Sequence, residues 1–278
     1  MKDSNRIFKT WLLWPTVVML LAFFLIPSLD IIRTSIFDPT LTGAHFERFF
    51  TRTVYLNVFL RTVQISALVA IICAVVGYPV AYFISQCSRQ NQFLLMFFIF
   101  IPLWMSVLIR SYTWMVVLGR EGMINTALIS MGVIDQPLKL LFTTGAVHVA
   151  MVQILLPIQI ITCFSAMSEI DMDLIRAARV MGARPLQAFR RVFLPLSLDG
   201  TVTGALIVFM LSMGFFITPA LVGGRQDIML ANLIDFHVQR LNWGFASTIA
   251  LVLLVGTICS ILIVRHISNL ILRRVRGG

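Results

Sequence analysis

The chain has 278 residues, of which 59% are hydrophobic and only 12% charged, with a net charge of +10 and a mean hydropathy of +0.92. Soluble domains carry about 25% charged residues, so this composition excludes a water-soluble globule, and the high apolar content excludes a disordered chain. Apolar runs are long and unbroken rather than alternating in segments of about ten residues, which excludes a membrane β-barrel. What remains is an all-α polytopic membrane protein, with residues 1–278 forming a single transmembrane domain.

The basic residues are scattered between apolar runs and form no basic face, so the positive charge is topological and points to no nucleic acid partner. In chain order, six stretches are uncharged for long enough to cross a bilayer: 11–29, 62–84, 92–109, 140–168, 200–224 and 241–264. Lys2, Arg6 and Lys9 precede the first, which is too long for a signal-peptide core and has no A-x-A site behind it. It reads as an uncleaved span with Trp11 and Trp14 as interfacial anchors. In the second, Ala67, Ala70, Ala74, Gly77 and Ala81 recur at helical spacing and make a narrow face for close packing within the chain or against a second subunit. The third is expected to continue past Arg110 toward Gly119. With the N-terminus on the cytoplasmic side, segments 1–10, 85–91, 169–199 and 265–278 hold 13 of the 22 Lys and Arg. That bias favours both termini inside, with the Arg273-Arg274-Val275-Arg276 tail beside anionic lipid.

Catalytic signatures are missing from the sequence. None of the three lysines (Lys2, Lys9, Lys139) follows a glycine, so no P-loop can be written, and neither GxSxG nor HExxH occurs. Cys73, Cys87, Cys163 and Cys259 lie far apart in or beside apolar runs and read as small buried apolar residues. His148, inside an apolar run, reads as a packed or pore-lining residue rather than a metal ligand. The chain is therefore expected to have no catalytic residues and no metal, and uphill movement would draw on an ion gradient or another subunit.

One connection is not loop-like. Residues 169–199 read EIDMDLIRAARVMGARPLQAFRRVFLPLSLD. Ile170, Leu174, Ala177 and Ala178 recur at helical spacing, and Glu169, Asp171 and Asp173 suit the positive end of a helix dipole. Gly182 offers a stop. Pro185 suits the first turn of a second helix carrying Leu186, Phe189 and Val192 on one side, and Pro195 is expected to end it. Two uses fit such an amphipathic elbow: lying on the inner leaflet with Arg184, Arg190 and Arg191 on lipid phosphates, or docking a short helix into a groove of a soluble partner.

The order Ala177-Ala178, Gly182, Val192-x-Leu194-Pro195 resembles the EAA signature of permease subunits of binding-protein-dependent ABC importers. The stretches Arg110-Ser-Tyr112-Thr-Trp114, Gly119-Arg120-Glu121-Gly122-Met-Ile-Asn125 and Phe216-Ile-Thr-Pro219-Ala-Leu-Val-Gly223-Gly224 are similar to the polyamine- and opine-type group of that family. The resemblance covers roughly residues 10–270. It implies a type I ABC importer permease fold in the bacterial inner membrane, passing a small polar solute such as a polyamine, an opine or an amino-acid-like compound. It also implies three partners: a second, related permease subunit; an ATPase dimer holding ATP and Mg; and a periplasmic solute-binding protein. The coupling segment would then comprise Asp173, Arg176, Ala177, Ala178, Gly182, Ala183, Pro185, Val192, Leu194 and Pro195, with the two alanines small enough to enter a groove. Arg176 stands where the signature carries its leading acid, so Asp173 is expected to supply the acidic contact.

Arg110, Tyr112, Trp114, Phe216 and Pro219 are the candidate solute path. Arg110 would either serve it or snorkel to the interface, and Tyr112 and Trp114 are also natural belt residues. Arg120, Glu121, Arg225 and Asp227 are candidates for contact with the binding protein, or else solvated loop ends. No acid occurs inside an uncharged span, so no dedicated polyamine site is legible. An ion-coupled secondary transporter or a membrane scaffold is the alternative reading. Against the transporter stand the lack of an internal repeat and of buried acids for coupling.

Overall fold

The computed structural model describes residues 14–37 and 41–276, with side chains described through His266. Lys2, Arg6, Lys9 and Trp11, expected to flank and anchor the first span, lie outside the described residues. The helices are α1 (Trp14–Ile36), α2 (Ala44–Thr51), α3 (Thr53–Ser85), α4 (Arg89–Trp104), α5 (Val107–Val117), α6 (Met123–Ser130), α7 (Thr144–Ser168), α8 (Met172–Val180), α9 (Pro185–Met213), α10 (Ile217–Val222), α11 (Leu230–Gln239) and α12 (Trp243–Arg276). Five of them are long and apolar enough to cross a membrane, and the bent pair α4–α5 makes a sixth crossing if counted as one span.

The span boundaries differ from those expected, each for a local reason. α3 starts nine residues early because Arg61 does not break the helix: its Nη1 donates to the Gln226 carbonyl at 2.6 Å. The third apolar run is not continuous. α4 ends at Trp104, two residues after Pro102; Met105 is extended, and Ser106 Oγ caps the new helix by accepting the Leu108 N–H. α4 and α5 therefore meet at 93°. The fifth run also breaks. α9 stops at Met213, and Pro219, whose ring would clash with a continuing helix, falls in the separate α10. α12 begins only after Leu241, held at φ 58°.

Two π-helical turns accommodate Pro27 and Pro195 inside their helices. Leu21–Leu25 precedes Pro27 in α1, and Phe189–Phe193 precedes Pro195 in α9, with the Leu194 N–H donating to the Phe189 carbonyl five residues back. A proline offers no N–H and crowds the carbonyl four residues earlier; a widened turn just before it relieves both problems. Pro195 therefore does not end the elbow's second helix as expected, and that helix runs unbroken into the span.

The described residues cluster into two compact units. In the larger, Asn57–Asn232 with residues from Gly256 on, α7 packs against α9 and α3 through glycines. A Cβ on Gly200 would stand 2.1 Å from the Ala166 Cβ, one on Gly204 2.9 Å from Gln159 Oε1, and one on Gly77 2.8 Å from Gln159 Cγ. Ala70, Gly77 and Ala81 of the small-residue stripe are buried within the chain. Cys73 and Cys163 share that interior, whereas Cys87 is half-buried and Cys259 exposed, contrary to their reading as uniformly buried. An apolar run does not tell which helical face a residue takes.

The smaller unit, Met1–Leu56 with Leu233–Val255, is organised by rings. Phe49 stacks on Tyr55, Phe245 meets Tyr55 and His237 edge-on at 5.0 and 4.8 Å, and Arg48 lies 4.5 Å above the Phe245 ring. Burial, with Arg48 and Arg240 nearby, pushes the His237 pKa below its ordinary value.

Candidate coupling elbow and solute cavity

The elbow is built from its caps outward. Asp171 Oδ1 accepts the Asp173 N–H at 2.9 Å and starts α8. Gly182, at φ 88°, ends it: the Gly182 N–H donates to the Arg179 carbonyl and the Ala183 N–H to the Ala178 carbonyl, the paired bonds of a Schellman stop. Gln187 Oε1 then accepts the Arg184 N–H at 2.9 Å and sets the first turn of α9. Phe189 and Phe193 stack on each other, and both meet Tyr82 of α3 edge-on at 5.1 Å. Together with Ile170, Ile175, Ile84 and Met167 they close an apolar cluster at the base of the elbow.

This arrangement splits the expected coupling residues. Asp173, Arg176, Ala177, Gly182 and Pro185 are exposed, Ala183 is half-buried, and Val192 and Leu194 are half-buried in α9. Ala178 and Pro195 are buried in the chain itself. Ala178 is therefore small because its own chain packs on it, not to enter a partner's groove. The apolar periodicity read from the sequence also shifts: Ile170, Ile175 and Ala178 face inward, while Leu174 and Ala177 face out, and in the second arm Ala188 and, within the π turn, Phe193 are buried rather than Leu186 and Val192. Val180 and Met181, which the sequence reading passed over, are 89% and 81% exposed at the tip, beside the half-exposed Leu174 and Leu186. Their adjacency to the glycine stop is the signal that could have found them. Arg176 Nη1 lies 2.7 Å from Asp173 Oδ1, so the acid expected to replace the missing one is already paired with the arginine that replaced it.

At the far end of α7 the loops are tied down. Asn125, wholly buried, donates to the Gly119 and Leu138 carbonyls and accepts the Leu138 N–H, all at 2.9–3.0 Å. Asp227 accepts from the Thr144 hydroxyl at 2.6 Å and from the Gly224 N–H at 2.9 Å. It is 1% exposed and so is neither a docking residue nor a solvated loop end. Arg120, Glu121 and Arg225 are exposed.

Of the candidate solute-path residues, the structure brings Arg110 and Trp114 onto α7 and separates the rest. Arg110 does not snorkel. It is 7% exposed, its Nη1 lies 3.4 Å from the Ile154 carbonyl, and its Nε has no partner. Trp114 Nε1 donates to Gln153 Oε1 at 3.3 Å. Tyr112, on another face of α5, is half-exposed. Phe216 is the N-cap of α10 and Pro219 lies within it, and α5 holds that helix through a Ser111–Thr218 hydroxyl pair at 2.9 Å. Trp114 alone of the five lines a cavity of about 530 Å³ whose walls include Ile72, Ile99, Pro102, His148, Gln153 and Pro157. Gln153 was not singled out from the sequence, although a glutamine in an uncharged span is itself a signal.

Comparisons with known proteins agree with this architecture. The chain is 34% identical over 267 residues to the spermidine/putrescine transport system permease protein PotB of Haemophilus influenzae, covering 92% of each chain. It is 34% identical over 251 residues to PotB of Escherichia coli K12, covering 85% of this chain and 90% of that one. Among solved structures, a bacterial alginate ABC transporter in complex with a pentasaccharide-bound periplasmic protein matches with a TM-score of 0.78 over 98% of both chains at 18% identity. The inward-facing MetNI methionine ABC transporter matches with a TM-score of 0.51 over 78% of this chain and 96% of that chain at 20% identity. These likenesses show the fold, that of a type I ABC importer permease. The family described as binding-protein-dependent transport system inner membrane component matches residues 4–276. The chain belongs to that family, as a multi-pass, non-catalytic permease subunit of an ABC importer.

Proposed function

We propose that this permease passes an alkyl amine of the spermidine/putrescine class from a periplasmic binding protein to the cytoplasm, and that the elbow α8–α9 receives the stroke of an ATPase dimer. The relatives named for spermidine and putrescine, matched over most of both chains, support the solute class. The observation that carries the mechanism is the tip of the elbow: Val180 and Met181 stand almost fully exposed above arms locked by Phe189, Phe193 and Tyr82. An exposed apolar tip on a rigid base is a lever that a groove can grip.

In this reading both termini and the elbow are cytoplasmic, ATP and Mg sit on the ATPase, and a second, related permease completes the pathway. Arg184 beside the tip and Arg190 and Arg191 in the turn at the base, all exposed, meet acidic groups of the motor or lipid phosphates. Arg120, Glu121 and Arg225 are the charges offered to the binding protein. Closure of the ATPase dimer moves the gripped tip, α9 carries the displacement past Pro195 into the membrane, and the glycine contacts with α7 pass it on. Arg110 and Trp114 act where α5 meets α7.

The test is reconstitution of the chain in proteoliposomes with its co-encoded permease, ATPase and binding protein. Spermidine uptake that requires ATP and the binding protein is the expected result. Uptake by the chain alone, driven by an ion gradient, would overturn the proposal.

A further inference from the structure

Two cavities of the larger unit meet at a single side chain. One, a vestibule of about 300 Å³, is lined by Arg61, Gln64, Thr144 and Gln226 with two aliphatic residues. The other is the chamber of about 530 Å³, walled by aliphatic residues, Pro102, Pro157, Trp114 and Gln153. Of all the lining residues, His148 alone belongs to both. Along α7 the order is Thr144, His148, then Val149 to Ile160. The vestibule thus lies at the start of the helix, and the chamber runs onward from His148 along about 18 Å of it.

The imidazole is held on one side only. Nδ1 lies 2.7 Å from the Thr144 carbonyl, which can only accept, so Nδ1 carries the proton. Nε2 is buried without any partner. In the neutral ring it is then a bare acceptor, shut away from water, and leaving it unmade costs free energy that a rotated ring would recover. Its polar neighbours have no such incentive to move: Arg61 donates to the Gln226 carbonyl and Trp114 to Gln153. Among the described residues lining the two cavities, His148 is the one with a buried polar atom left unpaired.

We propose that His148 is the valve of this subunit's solute path, closing the vestibule from the chamber in this structure and swinging to admit the solute. The proposal rests on the permease reading above and adds the residue and the chemistry of passage. Once turned, Nε2 accepts an N–H of a passing amine. The chamber then offers hydrocarbon walls to the alkyl stem and the face of the Trp114 ring and the Gln153 amide to the ammonium groups, but no carboxylate to hold them.

The experiment uses the reconstituted complex with spermidine as the probe. Removal of the partition by His148→Ala is expected to raise the ATP-independent efflux of preloaded spermidine about tenfold. Keeping the bulk but removing the nitrogens, by His148→Phe, is expected to leave efflux low and to reduce ATP-driven uptake about tenfold, with binding-protein-stimulated ATPase within about twofold of the parent. His148→Gln, which retains a donor for Thr144 and an acceptor, should recover most of the uptake. Parental efflux in His148→Ala together with parental uptake in His148→Phe would overturn the valve. A merely structural role would lower complex assembly in both variants and raise efflux in neither, which also overturns it. If the parent complex takes up no spermidine, the solute reading fails while the efflux comparison still decides the valve.

Discussion

The elbow and the loops at the other end of α7 use the same kinds of side chain to opposite ends. At the elbow, large apolar groups are held out: Val180 and Met181 are exposed while the polar residues around them make one surface ion pair, Arg176 with Asp173. At the far end polar groups are turned in, and Asn125 and Asp227 between them close two loops with five hydrogen bonds. The first region leaves apolar surface open; the second is complete in itself. On the proposed reading, that contrast separates the part that is gripped from the part that holds its shape while the helices move.

Substitutions break the contrast in a graded way. The largest effect on stability is expected for Asn125→Ala, which strips three hydrogen bonds from a buried site and costs about 3 kcal/mol. A thermal unfolding measurement of the purified chain would read this as a fall in Tm, with ATPase association following only the loss of folded protein. Next, the pair Val180→Asp and Met181→Asp should weaken ATPase association about thirtyfold, roughly 2 kcal/mol, with Tm unchanged; a lowered Tm with intact association would reverse the roles of the two regions. Asp227→Asn keeps the shape but leaves a single acceptor oxygen where two accept, so one bond is lost and the other loses its charge assistance, for a loss of about 1.5 kcal/mol in the same unfolding assay. The smallest change is expected for Arg176→Ala. Its pair with Asp173 is exposed, so stability should move by no more than about 0.5 kcal/mol, and any larger effect on transport would have to come through the motor.

The sequence disclosed these two regions unequally. The elbow was legible because its punctuation is local: acids before α8, Gly182 at the stop, Pro185 at the next start. Its faces were not legible: Ala188 rather than Leu186 is buried before the π turn, and the widened turn itself brings Phe193 rather than Val192 inward. Span count followed from uncharged length, but the break at Met105–Ser106 did not. Nothing in the apolar run marks it except Pro102 and a serine able to cap. Asp227 looked like a surface acid beside two glycines; its burial depends on Thr144, 83 residues away. From the sequence His148 reads as a packed or pore-lining residue and Gln153 is not singled out; the structure places both on the wall of one cavity between helices.

The central claim, that the elbow tip is gripped by a motor, is tested most directly by photo-crosslinking in membranes. The assembled importer would carry benzoylphenylalanine in place of Met181. The account predicts an adduct with the ATPase subunit, lost when Val180→Asp is added. Adducts with lipid alone, and none with the ATPase in the presence or absence of ATP, would contradict it.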